Sequence, residues 1–205
     1  MKSILISIQP QWVEKILNGE KTIEIRKTKP KIELPCKVYI YCTKPKKWWR
    51  YSSCGYTSDE LLWKTKDKIK MCDGFEFYNE IQDCIAINGK VVAEFTLNEV
   101  EDFSKWEYDF GALVRHLDLW AGTKGNYPFL IDYLKRQKKG YAWHIDNLKI
   151  YDTPKELSEF VLPNKNNCKT CFLYPDMCNK VCEQTKQHLF RPPQSWCYVE
   201  EVDNG

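Results

Sequence analysis

Gly19-Glu20-Lys21-Thr22-Ile23-Glu24-Ile25-Arg26 is the stretch around which the rest of the chain is organised. Successive side chains in a strand point to opposite faces. Ile23 and Ile25 are therefore expected against a core, with Thr22, Glu24 and Arg26 on the other side. Lys21 stands at the glycine-led entry, ahead of the alternation. A lysine, a glutamate and an arginine so close together exceed what solubility requires. They suit a ligand with both donors and acceptors, such as a nucleobase attached to a phosphate. The same spacing equally suits a half-exposed strand whose charges pair with a neighbouring strand.

Upstream, Ile4–Ile8 reads as a strand. Pro10 opens a short helix with the stripe Trp12/Ile16 and Val13/Leu17, and Gly19 ends it. Downstream, Lys37–Cys42 is rich in strand formers, and Lys44–Tyr56 reads as a long aromatic and basic loop. Thr57 with Glu60 makes a capping-box signature ahead of a lysine-rich helix reaching to Lys70. Asn88-Gly89 is a turn into the strand Lys90–Leu97. Pro128 opens another helix, closed by Gly140, and Tyr141–Ile145 and Leu148–Tyr151 read as strands. Thr153 with Glu156 signals a further helix over Leu157, Phe160 and Val161, with Pro154 at its first position. Short strands with helices at intervals predict an α+β fold, a small, partly closed mixed β-barrel decorated by helices.

A chain of 205 residues is about one domain, and 43% hydrophobic content excludes wholesale disorder. No run approaches the roughly 18 apolar residues that cross a bilayer. The apolar run after Lys2 is too short for a signal peptide, so a cytoplasmic protein without membrane contact is expected. Net charge is only +3, but its distribution is uneven. Residues 27–70 carry 12 basic and 4 acidic side chains, and residues 76–109 carry 9 acidic and 2 basic. Such segregation gives a nearly neutral chain a positive region able to attract a polyanion.

Five cysteines, Cys36, Cys42, Cys54, Cys72 and Cys84, are scattered singly and read as reduced, packed thiols. Cys168, Cys171, Cys178 and Cys182 form two close pairs separated by a short loop. Four thiolates so spaced suit one tetrahedral, structural zinc ion, and an iron–sulfur cluster is the alternative. His188 and Cys197 are possible substitute ligands.

Three stretches in this order resemble the ASCH domain of the PUA-like barrels. They are Ser7–Pro10 running into Gly19–Arg26, Gly89–Phe95, and Tyr141–Ile145 followed by Ile150-Tyr151. The ending Arg191–Glu200 is similar to the closing strand of larger members found in phages and their bacterial hosts. On this reading residues 1–153 form the barrel, 154–190 a helix and cysteine-rich excursion, and 191–205 the closing strand and C-terminus.

The resemblance implies a cleft that takes RNA, a nucleotide or a modified nucleoside. Lys21, Glu24 and Arg26 would lie at its mouth, with Ser7 on the neighbouring strand. Lys21 can meet a phosphate, Arg26 can bind in a fork or stack, and Glu24 can accept from an exocyclic amine. Lys47, Trp48, Trp49 and Arg50 would stack bases and follow phosphates. Some small members are amidohydrolases of acetylated cytidine, which use a lysine to activate a threonine. Lys21 matches that lysine, but Glu24 occupies the threonine's place, so nucleoside hydrolysis or RNA cleavage by Lys21 and Glu24 is the alternative to binding. A third reading is a phage-encoded module for a host protein partner. Oligomeric state is not legible.

Overall fold

In the computed structural model, the described residues are 2–44, 50–51, 55–56, 61–64, 69–72, 85–102, 140–163 and 188–201. Strand β1 (Ser3–Ile8) is followed by helix α1 (Pro10–Leu17), β2 (Ile23–Arg26) and β3 (Cys36–Cys42). Short pairs follow: β4 (Arg50–Tyr51), β5 (Gly55–Tyr56), β6 (Leu61–Lys64), β7 (Ile69–Cys72) and β8 (Ile85–Ala86). Then come β9 (Val91–Leu97), β10 (Val100–Asp102), β11 (Tyr141–His144), β12 (Asp146–Lys155), β13 (Phe160–Val161) and β14 (Trp196–Glu201).

A six-stranded sheet has the order β12-β9-β3-β1-β14-β13. It is mixed: β1 runs parallel to β3 and antiparallel to β14. A three-stranded sheet, β10-β11-β2, is joined to it where β9 runs on into β10 and β11 into β12. The result is a curled half-barrel carrying one helix among the described residues. Every residue of β1 is buried, because this central strand has a core on each face. Ile4, Ile6 and Ile8 pack with Val38, Ile40, Phe95 and Val13 of α1. Leu5 joins Tyr39, Tyr41, Tyr151, Phe160 and Val199 on the opposite face.

Helix α1 begins at Pro10, whose missing N–H a first-turn position does not need. It ends in a Schellman pair, Gly19 N–H to Ile16 O at 3.0 Å and Glu20 N–H to Lys15 O at 2.8 Å. Gly19 takes φ +74° there, which turns the chain so that Lys21 leads into β2. No described helix is long and apolar enough to cross a membrane.

Two expected helices are replaced by strands. Where the lysine-rich helix was expected to run to Lys70, residues 61–64 and 69–72 form β6 and β7, and β6 also pairs with β8. Ladder hydrogen bonds to a distant partner outweigh a local capping signal. In the long loop expected over Lys44–Tyr56, β4 and β5 pair. After Thr153 the chain stays extended to Lys155, and only Leu157–Glu159 make a 3-10 turn. Pro154 is tolerated because β12 is an edge strand and its register shifts between Ile150 and Lys155. The helix expected from Pro128 falls almost wholly outside the described residues.

Candidate nucleotide-binding site

Alternation alone put Ile23 and Ile25 inward, but the polar side of β2 is the more deeply covered. Glu24 and Arg26 are buried, Ile23 is buried as well, and Ile25 is only partly so. The reason lies in the partners. Glu24 stands opposite Trp143 on β11 and Arg26 opposite Tyr141. Trp143 is fully buried and packs on Trp196, with ring centroids 5.7 Å apart.

The charges satisfy one another beneath this cover. Lys21 Nζ lies 3.3 Å from Glu24 Oε2, and Arg26 Nη2 lies 2.9 Å from Glu24 Oε1. Lys21 also donates to the carbonyl of Ile23 at 2.5 Å, and its ammonium sits 5.6 Å from the centre of the Trp12 ring. The three side chains are only 5%, 9% and 10% exposed, in the order Lys21, Glu24, Arg26. Burial holds the Lys21 amine below its ordinary pKa, although Glu24 pulls the other way.

Arg26 binds this group to two other parts of the chain. Its Nη2 donates to the Ser7 carbonyl at 2.8 Å and its Nη1 to Ser195 Oγ at 3.2 Å. Ser7 donates its hydroxyl to the Pro193 carbonyl at 2.7 Å and its backbone N–H to Ser195 O at 2.9 Å. Ser7 is therefore beside Arg26, but on the other sheet, and its hydroxyl faces the C-terminal segment. Trp196 Nε1 donates to Thr28 Oγ1 at 3.0 Å, which fastens that segment again.

The structure thus brings Ser7, Lys21, Glu24 and Arg26 together. Arg50 lies in β4, and its side chain is not among those described. Lys47, Trp48 and Trp49 lie outside the described residues, as do Cys168, Cys171, Cys178 and Cys182. Of the possible substitute ligands, His188 has Nδ1 2.5 Å from the Ser158 carbonyl, and Cys197, a free thiol, stands opposite Leu5 in the sheet. Among the described residues no three His, Cys, Asp or Glu side chains gather as a metal site. His144 pairs only loosely with Glu101, at 4.0 Å.

Trp12, Trp143 and Ser195 were not singled out for the site from sequence. The glycine-ended helix carries Trp12, and Trp143 has the pattern of a core strand. Ser195 had no signal, since its place depends on β14 pairing with β1 across 190 residues of chain.

No family model matches the sequence, and no curated protein matches it. Solved structures do. The ASCH protein of Zymomonas mobilis superposes with a TM-score of 0.50 over 97% of this chain and 87% of that one, at 16% identity. A tyrosine-to-phenylalanine variant of the same protein gives 0.51 over 98% of this chain and 91% of that one, again at 16% identity. A serine-to-alanine variant gives 0.50 over 97% and 88%. At this identity the likeness is one of architecture: the chain has the ASCH-type, PUA-like barrel fold.

Proposed function

We propose that the protein is an RNA- or nucleotide-binding module whose site is Lys21, Glu24 and Arg26. One observation carries this reading. The cluster holds two cations and a carboxylate almost out of water. Desolvating charged groups is costly, and an apolar cluster of the same volume would stabilise the fold at least as well. Two cations side by side suit the phosphate of a polyanion or a nucleotide. Trp12 and Ser195 border the group and are partly exposed, so an aromatic face adjoins the cations. The ASCH-type fold of the structural neighbours is in keeping with this role. A reducing compartment, the cytoplasm, suits the free thiols Cys36, Cys42 and Cys197.

Titration of the purified chain with single-stranded RNA, single-stranded DNA and mononucleotides over a salt series tests the proposal. Salt-sensitive binding of RNA, or saturable binding of a nucleotide, is expected. No binding to any of them rejects it.

A hydrolytic reading has one observation in its favour, the lowered pKa of Lys21, which brings a free amine closer to neutral pH. Incubation with acetylcytidine and with labelled RNA distinguishes it. Turnover that is lost in Lys21→Ala would establish an enzyme, and intact substrates would leave binding alone. Cys168, Cys171, Cys178 and Cys182 are further proposed to hold a structural zinc. Protein prepared without chelators should then carry about one equivalent of zinc, and metal-free protein would reject the site.

A further inference from the structure

The segment that follows β2, Lys27-Thr28-Lys29-Pro30-Lys31-Ile32, carries a lysine at every second position and no acid. Pro30 and Ile32 are partly buried, and Ile32 packs on the core, while Lys29 and Lys31 are exposed. Other lysines of the fold are matched by carboxylates: Lys21 meets Glu24, Lys37 meets Glu94, Lys64 meets Asp152 and Lys90 meets Glu156. Neither Lys29 nor Lys31 has a carboxylate within ion-pair distance among the described residues. The segment lies instead against aromatic side chains. Lys29 Nζ is 5.7 Å from the centre of the Tyr141 ring, the Lys31 backbone N–H donates to Tyr198 Oη at 2.6 Å, and Thr28 Oγ1 accepts from Trp196. Trp196 and Tyr198 meet edge to face with centroids 5.4 Å apart, and all three rings are partly exposed. This strip begins at the candidate site, since Tyr141 stands opposite Arg26 and Trp196 follows Ser195, which accepts from Arg26.

Unmatched cations alone suit any polyanion. Rings at their side narrow the choice, because aromatic faces stack unpaired bases, whereas a duplex keeps its bases stacked inside. The polar tips of Trp196 and Tyr198 are already fixed by the segment, so little ordering of these rings remains to be done on binding. A lysine over a ring at the surface is weakly held, and Lys29 can turn to a phosphate. We propose that this strip is the path of single-stranded RNA beyond the site, with Lys29 and Lys31 on phosphates and Tyr141 and Tyr198 against unpaired bases. This inference rests on the RNA-binding reading above and adds that the RNA is unpaired there and where it runs.

Anisotropy of labelled single-stranded RNA with the full chain, over a salt series, provides the test. Lys29→Ala/Lys31→Ala should weaken binding by about tenfold and reduce the slope of log affinity against log salt by about 1.4, at about 0.7 for each phosphate contact. Both lysines are exposed, so the variant is expected to fold as the wild type does. Lys37→Ala/Lys90→Ala, matched in charge, should stay within about threefold and keep the slope. Tyr141→Leu, which keeps an apolar contact with the core, should weaken single-stranded RNA by about fivefold or more without changing the slope, and should not affect duplex RNA of the same length. Full binding by Lys29→Ala/Lys31→Ala, an equal loss in the charge-matched control, or an equal effect of Tyr141→Leu on the duplex overturns the inference while leaving RNA binding in place. Polyglutamate that competes as well as unlabelled RNA does would mark a general polyanion surface and also overturns it. Absence of any RNA binding overturns both.

Discussion

Glu24 and Glu94 are each held by cations, and their surroundings differ. Glu24 lies between Lys21 and Arg26, and all three are almost out of water. Glu94 lies on the six-stranded sheet, accepts from Tyr151 Oη at 2.6 Å, and meets Lys37 at 3.4 Å. Lys37 is half exposed, so water screens its charge. The second cluster is explained by stability alone: a tyrosine hydroxyl and a carboxylate that satisfy each other over a tyrosine-rich core. The first is not explained in that way, because burying charged groups is costly to folding even where they pair. Burial, more than the identity of the charges, separates the candidate site from the brace.

The comparison breaks most visibly where each carboxylate meets its partners. Glu24→Ala removes the buried carboxylate to which both Lys21 and Arg26 are paired and should cost about 3–5 kcal/mol of unfolding free energy by urea titration. Tyr151→Phe removes one charge-assisted hydrogen bond and should cost less, about 1.5–3 kcal/mol. Similar costs for the two would mean that the Glu24 cluster is no more deeply committed than the surface one.

The clusters should also respond at opposite ends of the pH scale. Burial raises the Glu94 carboxyl, but Tyr151 and Lys37 together bring it below its ordinary 4.5. Its stabilisation is present above 4.5 and lost as pH falls through the depressed folded value. Glu94→Gln should flatten that acid limb. Lys21 is also depressed, so here too the unfolded chain holds the proton more tightly, but in a base it is the charged form that folding disfavours. Stability should rise with pH between the folded value and 10.5 relative to Lys21→Met, which cancels the tyrosine and cysteine titrations common to both proteins. Unfolding curves collected across this range check it.

A smaller effect is expected at the turn that leads into the site. A Cβ on Gly19 would meet nothing within 4 Å, so Gly19→Ala is penalised only by the positive φ, at about 1 kcal/mol.

Sequence made the region around that turn legible because its signals are local. Proline at the start, glycine at the end and the apolar stripe between them define α1, and the Asn88-Gly89 turn and Val91–Leu97 follow in the same way. The polar residues of β2 were visible too. Their burial was not, since it depends on Trp143 and Trp196, which arrive from more than a hundred residues away. Lysines among apolar residues at 61–72 look helical until β8 supplies a partner strand. The capping signal at Thr153 failed because the operative box is Glu156 with Glu159, three residues later, once the edge strand can no longer pair. Ser195 is the extreme case, a site neighbour made solely by sheet topology.

Binding of fluorescently labelled single-stranded RNA to the wild type, Lys21→Ala and Lys37→Ala, followed by anisotropy at several salt concentrations, tests the central claim most directly. Both variants remove one lysine, one from the buried cluster and one from the screened cluster, so net charge is matched. The account predicts that Lys21→Ala weakens binding by about tenfold or more, while Lys37→Ala stays within about twofold of the wild type. Equal losses in the two variants, or RNA binding that Lys21→Ala leaves intact, would contradict it.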